Sequence, residues 1–207
     1  MIKLNKIRLF RMTHIDNIQH IIENGITHYL SANRNYDYMN IGDSSLINRR
    51  VEIILEDDTK LSDYIPFYFS YRTPMLYVIW KGFNNVKNIK QEDIVYIVSS
   101  VQKMTDLGVN YKFTDGHAVA GLSNFYTKES INEIETLLDW EAIKATDWKS
   151  EPDLKRKKEA EFLVLGDITY DAVLGYIVYN PIAQEKMQQI EKNKQTIVKP
   201  EYYFKKP

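Results

Sequence analysis

Ile94-Val95-Tyr96-Ile97-Val98 is an unbroken run of β-branched and aromatic residues. A run of that length without polar alternation predicts a central strand covered on both faces. Outward from it, strand-like segments recur without regular β-α alternation. The opening segment, Met1 to Phe10, ends in the alternating Ile7-Arg-Leu-Phe10. Pro66-Phe-Tyr-Phe69 and Met75-Leu-Tyr-Val-Ile-Trp80 flank a turn at Arg72-Thr73-Pro74, and Glu161-Phe-Leu-Val164 and Val173 to Tyr179 read as later strands. Helical signals fall between them. Asp16 reads as an N-cap for a helix carrying Ile18, Ile21 and Ile22 and stopped by Gly25, and Asp43-Ser44-Ser45 caps a short helix leading to Arg49-Arg50. Ser130 and Glu133 form a capping box for a helix through Leu138. Gln184 to Lys194 predicts a solvated helix before a short aromatic tail, Tyr202-Tyr203-Phe204. Together these predict an α+β fold with one domain over residues 1–207.

Composition narrows the chemistry. The 207 residues include 44% hydrophobic and 13% aromatic side chains, enough to bury a core. There is no cysteine and there are only four histidines, which argues against thiolate chemistry, disulfides and histidine-rich metal sites. A net charge of -1 is unlike a generic nucleic-acid coat protein, although it leaves room for a local basic path. With no signal-like opening, no apolar run of bilayer length and no cysteine, a cytoplasmic protein is expected, and the lack of ligand clusters fits one that needs no metal.

The eight glycines form neither a dinucleotide fingerprint nor a phosphate loop, and no nucleophile elbow or His-Glu-x-x-His pair occurs. What remains is a set of polar residues at element ends, each with two readings. Glu161 opens a strand after the basic run Lys155-Arg-Lys-Lys158. It either stabilises positive charge developing on a sugar carbon or merely offsets those lysines. Arg49-Arg50 offers a planar fork to a pyrophosphate or base carbonyl, or simply complements a helix dipole. Thr13 and His14 mark a strand-to-helix junction where exposed amides hold a polar ligand, or where a histidine starts a helix. Tyr68 points away from Phe67 and Phe69, into a cleft or a second packing layer. His117 follows a tight Asp115-Gly116 turn, as a donor or as a turn residue. The Asn-rich stretch 31–40 reads as a long loop, more functional than connecting.

Taken in order, these residues resemble the DarT family, bacterial toxins that ADP-ribosylate bases in single-stranded DNA using NAD. The resemblance runs through Leu9-Phe-Arg-Met-Thr-His-Ile-Asp-Asn-Ile18, Ile47-Asn-Arg-Arg50, Asp63-Tyr-Ile-Pro-Phe-Tyr-Phe69 and Arg72-Thr-Pro-Met-Leu-Tyr77. It continues through Phe113-Thr-Asp-Gly-His117, Leu138-Asp-Trp-Glu141, Lys158-Glu-Ala-Glu-Phe-Leu-Val164 and Val198-Lys-Pro-Glu-Tyr-Tyr-Phe204. It implies an ADP-ribosyltransferase-type fold, two small mainly antiparallel sheets forming an NAD cleft with surrounding helices. It also implies a DarG-type antitoxin whose macrodomain removes the mark.

Carried over by residue, Glu161 matches the catalytic glutamate and Arg50 the catalytic arginine. Thr13, with His14 beside it, matches the nicotinamide-binding block, Tyr68 the aromatic beside the nicotinamide, and His117 a further active-site histidine. Asn33, Arg72 and Met75 fall where the family contacts NAD or the target strand, and Lys155 joins them as a DNA-contact candidate. Arg11 stands where many members have histidine, and could donate to the same ribose hydroxyl. The implied reaction attaches ADP-ribose to thymidine. Guanosine modification, a catalytically silent NAD or nucleic-acid binding module, and a glycohydrolase that transfers to water are the alternatives.

Overall fold

The computed structural model describes residues 3–204, so Met1 and Ile2 of the opening segment lie outside the described residues. The chain runs through β1 (Arg8–His14), α1 (Ile18–Asn24), α2 (Ser44–Glu52), β2 (Tyr64–Tyr68), α3 (Pro74–Lys81), β3 (Ile94–Ser100), α4 (Val101–Asp106) and β4 (Tyr111–Thr114). It continues with β5 (Phe125–Thr127), α5 (Ile134–Leu137), α6 (Trp140–Lys144), α7 (Leu154–Lys158), β6 (Glu161–Leu165), β7 (Gly175–Val178), α8 (Pro181–Ile190) and β8 (Thr196–Val198).

The strands pair in the order β5-β4-β6-β2-β1-β3-β7-β8, antiparallel except for the parallel pair β7–β8. The expected two sheets are therefore one hydrogen-bonded sheet. Its two four-stranded halves nevertheless meet at a single pair, Phe10 opposite Tyr68. Pro66 supplies a physical reason. Its carbonyl faces β1 and accepts from the Arg11 side chain at 3.0 Å. In a strand a residue's nitrogen and oxygen face the same neighbour, so the missing proline N–H also faces β1, where a ladder bond cannot form. The strands part there.

The core explains why the parting opens on one face. Strand β3 is covered on both sides, as its run of apolar residues predicts: Val95 and Ile97 join one cluster, Ile94 and Tyr96 another. The first cluster is continuous beneath both halves, including Phe67, Phe113 and Phe162. The opposite face carries two separate clusters, one over β1, β3 and β7 with α3 and the C-terminal Tyr203 and Phe204, the other around Leu61, Tyr64 and Leu163. The gap between them becomes a cleft.

Four local expectations are corrected. Met75 to Trp80 is helical, not a strand: Thr73 caps by accepting from the Leu76 amide, Pro74 occupies the first turn, and Gly82 ends the helix in the left-handed region at φ 67°. Leu76 and Ile79, one turn apart, bury its inner face. Asp16 does not cap α1: it lies in a 3-10 turn, Ile15–Asn17, that leads into the helix and is capped by His14, whose Nδ1 accepts from the Asp16 amide. The Ser130–Glu133 box does not form; a 3-10 segment over Lys128–Glu133 precedes the one-turn α5. The late helix spans Pro181–Ile190, capped by Asn180, and releases the chain into β8.

Candidate active site

Strand β6 and helix α2 each bring one member of a buried pair. Glu161 begins β6, directly opposite Tyr68 of β2. Since Phe162 faces the continuous core, Glu161 faces the cleft side. Arg50 lies in the last turn of α2, a helix started by Asp43, whose Oδ1 accepts from the Ser45 amide at 2.9 Å. Arg50 Nη1 donates to Glu161 Oε2 at 2.9 Å. The other oxygen, Oε1, accepts from the Ala118 amide at 2.9 Å and stands 3.8 Å from His117 Nε2. Arg50 Nη2 is buried and has no partner among the described residues.

Two cavities flank this pair: Arg50 lines the larger, and His117, 3.8 Å from Glu161, lines the smaller. The larger, about 670 Å³, is lined by Arg11, Met12, Arg50, Pro66 and Tyr68 and is covered by loop residues from Thr27 to Gly42. The smaller, about 250 Å³, is lined by Arg49, His117, Lys155 and Glu159, and Met75 borders both. Adjacent residues on a helix project about 100° apart, which sends Arg49 and Arg50 to different cavities.

The electrostatics are those of a dry site. Desolvation, reinforced by the carboxylates of Glu159 and Glu161, holds the Tyr68 phenol well above its ordinary pKa, so it is a neutral donor. Burial also lowers the His117 pKa, more than Glu161 raises it.

The remaining expected residues are distributed around this centre. Arg11 reaches into the strand gap at the cleft wall. Thr13 and His14 line neither cavity. Thr13 is 1% exposed with its Oγ1 accepting from Asn17, while His14 caps the 3-10 turn. Asn33 sits on the exposed outer loop, its amide bonded to Ser31 Oγ. Arg72 has a left-handed φ of 51° and lays its guanidinium over Phe204. It lines neither cavity, and its buried Nε has no partner among the described residues.

Three sets of supporting residues escape a sequence reading. Asn17 donates to Thr13 and to the Met39 carbonyl and accepts from the Met39 amide, fastening the covering loop to β1. Asp167 holds the other end of that loop through His28 and Ser31. Arg156 binds Asp115 and Asp153 and takes up the His117 amide with its carbonyl, fixing the turn that supplies His117 and Ala118. Nothing in the sequence marks these as partners, because each joins segments far apart in the chain.

The family model described as "ssDNA thymidine ADP-ribosyltransferase, DarT" matches residues 10–204. The chain belongs to the DarT family. A DarT relative from Thermus sp. (strain 2.9), a DNA ADP-ribosyl transferase, is 34% identical over 190 residues, 89% of this chain and 87% of the relative. Solved structures of Thermus sp. 2.9 DarT resemble the fold closely. The complex with ADP-ribosylated ssDNA has a TM-score of 0.87 at 29% identity and covers 96% of both chains. The complex with NAD+ has a TM-score of 0.81 at 30% identity, covering 96% of this chain and 98% of that one. In Thermosipho africanus a DNA ADP-ribosyl transferase–DNA ADP-ribosyl glycohydrolase fusion protein is 30% identical over 159 residues, 75% of this chain and 38% of the fusion. DarT enzymes are NAD-dependent DNA ADP-ribosyltransferases, and the α+β fold of this chain is theirs.

Proposed function

We propose that this DarT-family chain is a cytoplasmic toxin that transfers ADP-ribose from NAD to thymidine in single-stranded DNA, countered by a DarG-type partner whose macrodomain removes the mark. Thymidine appears in the description of the matching family model, and a relative carries transferase and glycohydrolase in one chain. The observation that carries the reading is the Arg50–Glu161 pair, joined at 2.9 Å, with Arg50 lining the larger cavity and His117, 3.8 Å from Glu161, lining the smaller.

The larger cavity takes NAD, with its nicotinamide beside Tyr68 and a ribose hydroxyl within reach of Arg11. Glu161 stabilises the positive charge that develops on the ribose as the glycosidic bond breaks, and it does so from a site shielded from water. The thymine ring N–H is about as acidic as tyrosine, with a pKa of about 10. Arg50 binds the base as negative charge grows on it, its buried Nη2 serving as the donor. His117 and Met75 border the target base. Thr13 and His14 shape the backbone shoulder beneath the nicotinamide. Asn33, Arg72 and Lys155 contact the strand or the dinucleotide. Preference for single strands follows from the base having to leave its stack, a cost of a few kcal/mol in a duplex.

Mass spectrometry of four single-stranded oligonucleotides, each lacking one base, after incubation with protein and NAD tests this directly. Gain of one ADP-ribose on every oligonucleotide except the thymine-free one is the expected result. Labelling lost only without guanine would move the target to guanosine. No labelling of any strand, with nicotinamide release indifferent to DNA, would overturn transfer to DNA altogether.

A further inference from the structure

Transfer to a ring nitrogen must dispose of one proton, and the central pair is committed to the ribose and to its own hydrogen bonds. Both Glu161 oxygens are engaged, by Arg50 and by the Ala118 amide, and a guanidinium has no acceptor atom. The smaller cavity contains another carboxyl. Glu159 lies two residues before Glu161, only 7% exposed, in a wall it shares with Met75, His117 and Lys155. We infer that Glu159 accepts the ring N–H proton of the target base.

The surroundings suit that role. The Met75 amide, in the first turn of α3, binds the carboxylate and Lys155 attracts it. Desolvation outweighs both, and with the neighbouring Glu161 it pushes the Glu159 pKa up to about 7. A carboxyl so placed is a stronger base than an exposed glutamate and is still substantially ionised near neutrality. The charged or titratable groups around it are Lys155 from α7, Arg49 from α2 and Asp43 at its cap, His117 from the turn after β4, Tyr68 from β2 and Glu161 from β6. His117 is the rival acceptor, and burial makes it a weaker base than an ordinary imidazole.

The step balances. The proton passes from the thymine N3 to a Glu159 oxygen, and the freed N3 electron pair forms the bond to C1′ of the ribose. The C1′–nicotinamide bond breaks, with its electron pair leaving on neutral nicotinamide. Glu159 returns its proton to solvent when product departs.

This assignment rests on the transferase reading above, and single-turnover transfer to a thymine oligonucleotide separates the two. If wild-type protein labels no DNA, that reading fails first. If it does label DNA, the rate should rise with pH to a plateau, with a midpoint near the Glu159 pKa of about 7. Glu159→Gln should lose about 10²-fold or more at the plateau and lose the limb as well. Replacing thymine by 5-fluorouracil, whose N3–H is more acidic, should restore much of that loss. A Glu159→Gln rate within about 3-fold of wild type, a limb that persists in Glu159→Gln, or a limb that vanishes in His117→Gln instead would overturn the assignment. Should Glu159→Gln not fold, wild type decides: below the midpoint 5-fluorouracil must accelerate transfer, and no acceleration sinks the proposal.

Discussion

Arg50 and Glu161, 111 positions apart in sequence, are joined by one hydrogen bond from Nη1 to Oε2. Their side chains are 13% and 1% exposed, so neither charge is well solvated and each depends on the other. Glu161→Gln keeps the shape but removes the charge that would face the ribose in the transition state. Transfer should fall by at least ~10²-fold while NAD affinity changes little, because the lost contact strengthens mainly at the transition state. Rapid-quench kinetics beside calorimetric NAD titration would separate the two effects.

Arg50 allows a complementary test of geometry against charge. Arg50→Lys retains a cation but loses the planar fork, so Glu161 keeps a partner while Nη2 has no replacement. The lysine variant should fold near the wild-type midpoint and transfer poorly. Arg50→Ala should cost about 3 kcal/mol in urea unfolding, since it leaves a carboxylate buried without its cation. Equal stability of the two variants would contradict a buried ion pair.

Asn17 predicts a loop effect. Its amide makes two bonds to the Met39 backbone and one to Thr13, tying down the segment over the larger cavity. Asn17→Ala should lower stability by about 1–3 kcal/mol and raise the KM for NAD more than it lowers kcat. Limited proteolysis should then cut the 31–40 segment sooner, with NAD restoring protection.

Arg156 holds the turn that delivers the Ala118 amide to Glu161. It bonds Asp153 through Nε and Nη2 at 2.7 and 2.8 Å and Asp115 at 2.8 Å. Arg156→Ala should slow transfer about 10-fold and speed amide exchange at Ala118, while leaving exchange in β3 unchanged. Altered exchange in β3 would point to global loosening instead.

How much of this was legible in the chain depends on the range of the interaction. Local rules suffice for β3, where five apolar residues in a row end up covered on both faces, and for Tyr68, which faces the cleft while Phe67 is buried. They fail at Met75 to Trp80, where β-rich composition outweighs the Thr73-Pro74 start and Gly82 stop that govern the observed helix. Pro66 marks the strand gap in principle, but only its pairing with Leu163 and the Arg11 bond reveal which side is open. The Arg50–Glu161 meeting, the Asn17 staple and the Arg156 latch are tertiary. No periodicity encodes them, and only the ordered series of family-like blocks brings the first of them into view.

Glu159 carries the last prediction, on stability against pH. Its pKa moves from the usual 4.5 to about 7 on folding, so between these values the native state binds more protons than the unfolded one. Stability therefore falls as pH rises through that window, and the penalty for the buried charge is fully present above 7. A displacement of that size costs roughly 3 kcal/mol at most. Lys158 acts in a neighbouring window. Burial, with repulsion from Arg72, brings its pKa down from 10.5 to about 8, so the unfolded state binds more protons between those values and stability rises with pH there. Both penalties coincide between about pH 7 and 8. Glu159→Gln should accordingly raise the urea midpoint at pH 7.5 and leave it unchanged at pH 4, where Glu159 is already protonated. An equal gain at both values would mean that packing, not ionisation, distinguishes the two side chains. A gain confined to neutral pH, together with loss of transfer, would mean that the buried carboxyl is retained for its chemistry at the expense of stability.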